Sequence, residues 1–154
     1  MPRKSLRVGC VALVLLTAGC GWIPQPKPGT EPGPNGELLV VSRTEPSDAV
    51  MQALFEGELF LNDASCVAGR SAEGYEVGLL FPRGSSFAGG DALVVRSGDY
   101  EFSFGVQVAF GGGFASGEHN VELLEEVPSG CRYEETFIVQ TLGEPGQAPS
   151  SSLD

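Results

Sequence analysis

Between residues 37 and 142 the apolar residues arrive in short runs, each closed after four to nine positions by glycine or turn chemistry. Leu38–Ser42, Ala53–Leu61, Ser65–Ala68, Tyr75–Phe81, Ala92–Arg96, Phe102–Phe110 and Glu135–Thr141 are mostly apolar and read as strands. Asn62–Asp63, Pro82–Arg83–Gly84 and Ser97–Gly98–Asp99 separate them. Asparagine and aspartate bond their own backbone, and glycine accepts positive φ, so these are turns. Six or seven short strands can bury a shared core only by wrapping around it. The 22 glycines and 11 prolines among 154 residues also oppose a helical bundle. The expectation is an all-β domain, a small antiparallel barrel or sandwich. Within Ala53–Leu61, Glu56 and Glu58 alternate with Phe55 and Leu59 around Gly57, which predicts a kink or bulge. One segment differs. Asn120–Val127 carries apolar residues at helical spacing before Pro128, which predicts one short helix. That helix is expected to plug one end of the barrel, with Glu122, Glu125 and Glu126 in water.

Charge narrows the function classes. Twenty acidic residues face nine basic ones, for a net charge of −11. Such a chain repels phosphate, so nucleic acid is not an expected partner. No apolar run reaches the ~20 residues of a membrane-spanning helix.

The N-terminus reads as an address. Arg3, Lys4 and Arg7 precede an uncharged run from Val8 to Ala18, then Leu16–Thr17–Ala18–Gly19–Cys20. An apolar stretch of this length suits a secretory signal. The order of features resembles a bacterial lipoprotein signal peptide with its lipobox. Thr17 stands where that family most often has leucine, and Leu16 lies one place earlier. The resemblance implies a cleaved signal helix over residues 1–19 and lipid attachment at Cys20. It also implies an outward-facing, lipid-anchored position at the cell membrane, outside the cytoplasm. Plain secretion or an uncut anchor are the competing readings. Loss of Arg3, Lys4 and Arg7 leaves six basic residues against twenty acids, a net charge near −14. The lipid, rather than a basic patch, must then hold the chain to an anionic membrane.

Residues 20–36 contain Pro24, Pro26, Pro28, Pro32 and Pro34 and read as a polyproline-type tether, with Trp22 at headgroup level. Residues 37–142 form the β domain, and 143–154 read as a disordered tail. Of four cysteines, Cys10 leaves with the signal and Cys20 takes the lipid. Cys66 and Cys131 remain, and an oxidising compartment predicts a disulfide between them, with buried free thiols as the alternative.

From Gly57 to Val139 the succession of features is similar to a family of small uncharacterised β domains in bacterial secreted proteins and lipoproteins. The marks are Cys66–Val67, Phe81–Pro82 with Gly84, Gly98–Asp99, Gly111–Gly112–Gly113, Cys131 and Phe137–Val139. The resemblance implies an OB-like barrel and supplies no activity.

Chemistry-bearing motifs are sparse. His119, the one histidine, lies between Glu118 and Asn120 and reads as a solvated loop residue. Gly111–Phe114 lacks the lysine and spacing of a phosphate loop and reads as a hairpin or rim turn. Asn62–Asp63 and Gly98–Asp99 are weak calcium corners without a DxDxDG run. No catalytic residue, metal site or cofactor is expected. Phe87, Phe110, Phe114 and Tyr100 fall near predicted turns and are candidates for a partner surface, or else they fill the barrel ends. The expected role is a membrane-anchored envelope lipoprotein displaying a non-enzymatic β domain, for partner binding or a surface-structural role. An envelope hydrolase using carboxylates or calcium is the alternative.

Overall fold

Strand β3 (Ala53–Leu61) shows how the barrel forms: Phe55 and Leu59 are buried while Leu54 and Glu56 face solvent. A computed structural model describes residues 26–45 and 51–144. The signal segment, Cys10, Cys20, Trp22 and residues 145–154 lie outside them. Strands β4 (Val67–Arg70) and β5 (Glu76–Leu80) follow β3 in antiparallel succession. A later strand, β9 (Gln107–Ser116), returns beside β3, which is a Greek key. The last strand, β10 (Glu135–Leu142), pairs antiparallel with β9 and parallel with β5, and so closes a five-stranded barrel. The fold is thus all-β, with the OB-like closure expected. Its seam is a difference: Thr136, Phe137 and Ile138 run parallel to Gly78, Leu79 and Leu80.

All-parallel sheets are covered on both faces, and this parallel pair is covered in the same way, although Ile138 stays half-buried. Val77, Leu79, Phe81, Phe137 and Val139 join the barrel core with Phe55, Val108 and Phe110. Leu80 and Ile138 belong to a second cluster with Val40, Leu124, Val127 and both Cys66 and Cys131. The short helix α1 (Gly117–Leu123) and the turn after it supply Leu123, Leu124 and Val127 to that cluster. So the helix exists, but it covers the outside of the seam instead of plugging the barrel. Asn120, buried, fixes it by donating from Nδ2 to the carbonyls of Tyr133 (2.8 Å) and Glu134 (3.2 Å).

The plug is a meander inserted between β5 and β9. It consists of β6 (Ser86–Phe87), β7 (Val94–Ser97) and β8 (Tyr100–Ser103). Phe102 meets Phe110 edge-on at 5.1 Å, and Phe110 meets Phe81 at 5.8 Å. Each such aromatic pair contributes about 0.5–1.5 kcal/mol beyond its buried area.

Three local expectations change. The expected tether is shorter, because β1 (Gly29–Pro32) pairs with β2 (Leu38–Val41) in a hairpin. Glu37 holds its turn by accepting from the Asn35 backbone N–H (2.8 Å) and Nδ2 (3.2 Å), which keeps its carboxyl below the usual range. Gly111–Gly113 is no turn but the middle of β9. A Cβ at Gly112 would lie 1.9 Å from the Ile138 carbonyl oxygen, so the close approach of β9 and β10 requires glycine. The register slips beside it, between Val139 and Thr141. Just past β10 the Gly143 N–H still donates to Ala109 O, so the barrel extends one residue into the expected tail. Gly57 marks where β3 passes from β9 to β4, and a Cβ there would lie 2.2 Å from the Arg70 carbonyl oxygen.

Cys66 and Cys131 form the disulfide, with Cα atoms 5.3 Å apart. It joins the β3–β4 turn to the segment after α1, and Asn62 Nδ2 adds a bond to Gly130 O (2.8 Å). Cross-linking across 65 residues is worth about 4 kcal/mol on chain entropy. Thermal unfolding followed by circular dichroism should therefore show Tm falling by roughly 15 °C on reduction, and an unchanged Tm would contradict the account. Gly112→Ala should cost roughly 3 kcal/mol or more in denaturant titrations. Gly74→Ala, with φ +85 and open space around it, should cost only about 1 kcal/mol.

Candidate binding site at the open barrel mouth

A row of rings runs through the barrel core to its far end. From the plugged side it passes Phe110, Phe55 (6.4 Å from Phe110), Phe137 (5.9 Å from Phe55) and Phe114 (4.8 Å from Phe137). Phe55 and Phe137 are at most 4% exposed, whereas Phe114 is 44% exposed. Here the barrel is uncovered. Leu54 from the start of β3 is 47% exposed, and Tyr75, just before β5, is 54% exposed. With Phe55 and Val77 as floor they line a bowl of about 610 Å³. Met51, also exposed, lies against Gly113 next to Phe114.

The rim of the bowl is acidic. Glu56 and Glu73 line it, together with Ser71 and Gln107, and no basic residue does. The Ser71 hydroxyl and a backbone N–H hold the Glu73 carboxyl below the usual range, so it is ionised. Tyr75 Oη donates to Glu135 at 2.5 Å. That bond, partial desolvation and the charges of Glu135 and Glu134 hold the Tyr75 phenol above its usual range. A general acid in a glycosidase-type pair needs a raised carboxyl, the opposite of what surrounds Glu73.

The basic residues are engaged elsewhere. Lys27 pairs with Glu125, Arg43 with Glu126 (3.5 Å), Arg83 with Glu45 (2.5 Å) and Arg96 with Glu101 (2.6 Å). Arg70 pairs with Glu76 (2.8 Å) and Glu58 (3.8 Å) and lies 4.0 Å over the Phe60 ring. Arg132 donates to the carbonyls of Val127 and Glu125.

The residues anticipated from sequence scatter. Phe110 is fully buried in the core, so it is no surface residue; strand parity could not reveal its depth. Phe87 is half-buried in the meander, and Tyr100 packs on Phe102 at 6.2 Å. Of the three phenylalanines proposed as one surface, Phe114 alone reaches the bowl. His119 is exposed on α1, a helix rather than a loop, beside a separate groove of about 390 Å³ floored by Leu80 and Ile138. Among the described residues no three His, Cys, Asp or Glu side chains form a metal-binding group. Leu54 and Tyr75 were missed. An apolar residue on the Glu56 face of β3 is the signal that marks Leu54.

OB barrels commonly bind ligands on the face of their second and third strands, flanked by two loops. In this chain part of that face is covered. Leu80 of β5 is buried against the second cluster, and the two corresponding loops carry Asn62 and Gly130, bonded to each other, and the two disulfide cysteines. Among the described residues the mouth gathers three large, half-exposed apolar side chains, Leu54, Tyr75 and Phe114, in one bowl.

Comparison with known proteins returned no matching family model, no matching curated protein and no matching solved structure.

The Tyr75–Glu135 bond makes a titration prediction. A raised folded pKa means that its stabilisation is present below the ordinary tyrosine pKa and is lost as pH rises through the folded value. Glu135→Gln should shift Tyr75 ionisation, read by ultraviolet absorbance in a Tyr100→Phe, Tyr133→Phe background, to lower pH. An unmoved titration would place Glu135 away from the phenol.

Proposed function

We propose that this chain is a lipid-anchored protein of the bacterial envelope whose β domain binds a partner through the bowl at its barrel mouth. The anchor is supported by the order of positive start, apolar run and Leu16–Cys20 motif. Binding is supported by one observation: Leu54, Tyr75 and Phe114 stand half exposed together above the buried Phe55 and Val77. Exposed apolar patches with a polar rim mark interaction sites. The role is one of display, with the disulfide-closed barrel as a rigid platform, and it calls on no cofactor.

Both halves of the reading have a test. Cys20→Ala should abolish metabolic labelling with palmitate and move the protein from the detergent phase to the aqueous phase; continued labelling would end the anchor reading. A photo-crosslinking benzophenone at position 114 should capture a discrete partner on intact cells, whereas one at Asp99, in the β7–β8 turn of the plug, should not. Equal capture at both positions, or none at 114, would remove the bowl as the contact.

A further inference from the structure

We infer that the bowl, taken as the partner site just proposed, receives a cationic segment of a protein: a Lys- or Arg-flanked stretch seating one aromatic or aliphatic side chain between Leu54, Tyr75 and Phe114.

Shape argues for a protein segment. A space of about 610 Å³ is large enough for one or two bulky side chains. Pockets for small molecules bury most of the ligand, whereas these three side chains are themselves about half in water. An occupant must therefore continue over the rim, as a polypeptide does. The pattern of an apolar anchor in a wet, polar surround is that of a protein interface.

Charge argues for a cation. Glu56 and Glu73 sit on the wall, Glu135 is bonded to the Tyr75 hydroxyl, and Glu134 adjoins it. Among the described residues no ion pair involves any of these four, and the nearby Arg70 is engaged by Glu58 and Glu76. The rim therefore presents uncompensated carboxylates on a chain that is itself strongly acidic. An anionic segment meets repulsion there, whereas a basic one gains ion pairs and is steered in. The exposed Tyr75 and Phe114 rings also offer faces to a guanidinium or ammonium group.

The test uses the full-length mature protein in detergent and three fluorescein-labelled peptides of equal length. One has a tryptophan flanked by lysines, one a tryptophan flanked by glutamates, and one an alanine flanked by lysines. Fluorescence anisotropy should show the lysine–tryptophan peptide binding at least about tenfold more tightly than either of the others. Glu56→Gln with Glu73→Gln should weaken it by about tenfold, as should Phe114→Ala, and raised salt should weaken it further. These are surface substitutions, and circular dichroism verifies the fold. If both tryptophan peptides bind equally and Phe114→Ala abolishes both, the bowl is a docking site but the cationic occupant is wrong. If lysine peptides bind regardless of tryptophan or Phe114, plain adhesion to an acidic surface replaces the inference. Failure of every peptide to bind also overturns it, while capture at position 114 on cells continues to decide the partner reading independently.

Discussion

The parallel seam between β5 and β10 is the constraint on which the remaining architecture depends. A seam shielded from water on both sides needs apolar cover inside the barrel and outside it. The inside is met by the ring of phenylalanines, and the outside by Val40, Leu124 and Val127. Those covering residues come from the N-terminal hairpin and from the segment around α1, which are far apart in sequence. The disulfide lies inside this outer cluster and ties the second segment to the start of β4. One pairing choice thus explains the second core, the placement of the helix and the value of the bridge. The same cover lies over part of the face that OB barrels commonly use for ligands, and the mouth stays open.

Electrostatics runs through the structure in one direction. The basic residues of the described region are used in ion pairs or carbonyl contacts that pin hairpins and loops. Most of these pairs are exposed, so each stabilises the fold little. Their collective effect is compositional: the remaining carboxylates set the potential of the surface. At Tyr75 the hydrogen bond to Glu135, partial burial and then the charges of Glu135 and Glu134 hold the phenol above its usual range.

Much of the fold was legible in the residues, and the failures have physical causes. Val77–Phe81 lacks polar alternation because both faces of β5 are buried, and an apolar run with turn residues at each end still reads as a strand. Cys66 and Cys131 were legible from compartment chemistry. Three glycines in a row read as a turn, yet at Gly111–Gly113 they permit β9 to press against two neighbours at once, a tertiary demand with no local signature. Prolines at alternate positions read as tether, but Pro32 ends an edge strand, where a missing N–H does no harm. Phe110 and Phe114 share one face of β9 and differ by four residues, about 13 Å along the strand. Parity assigns the face; depth along the axis, which decides burial, is set by the closure of the whole sheet.

The position of Pro26 has a geometric consequence. Pro26 lies by the groove floored by Leu80 and Ile138, whereas the bowl is at the Tyr75 end of β5. The strand between those ends is about 17 Å long. With an acyl chain at Cys20, the six residues to Pro26 reach at most about 20 Å. Were Cys20 lipidated, a leash that short would keep the Pro26 side of the barrel nearer the bilayer than the bowl, like a cup on a short stem.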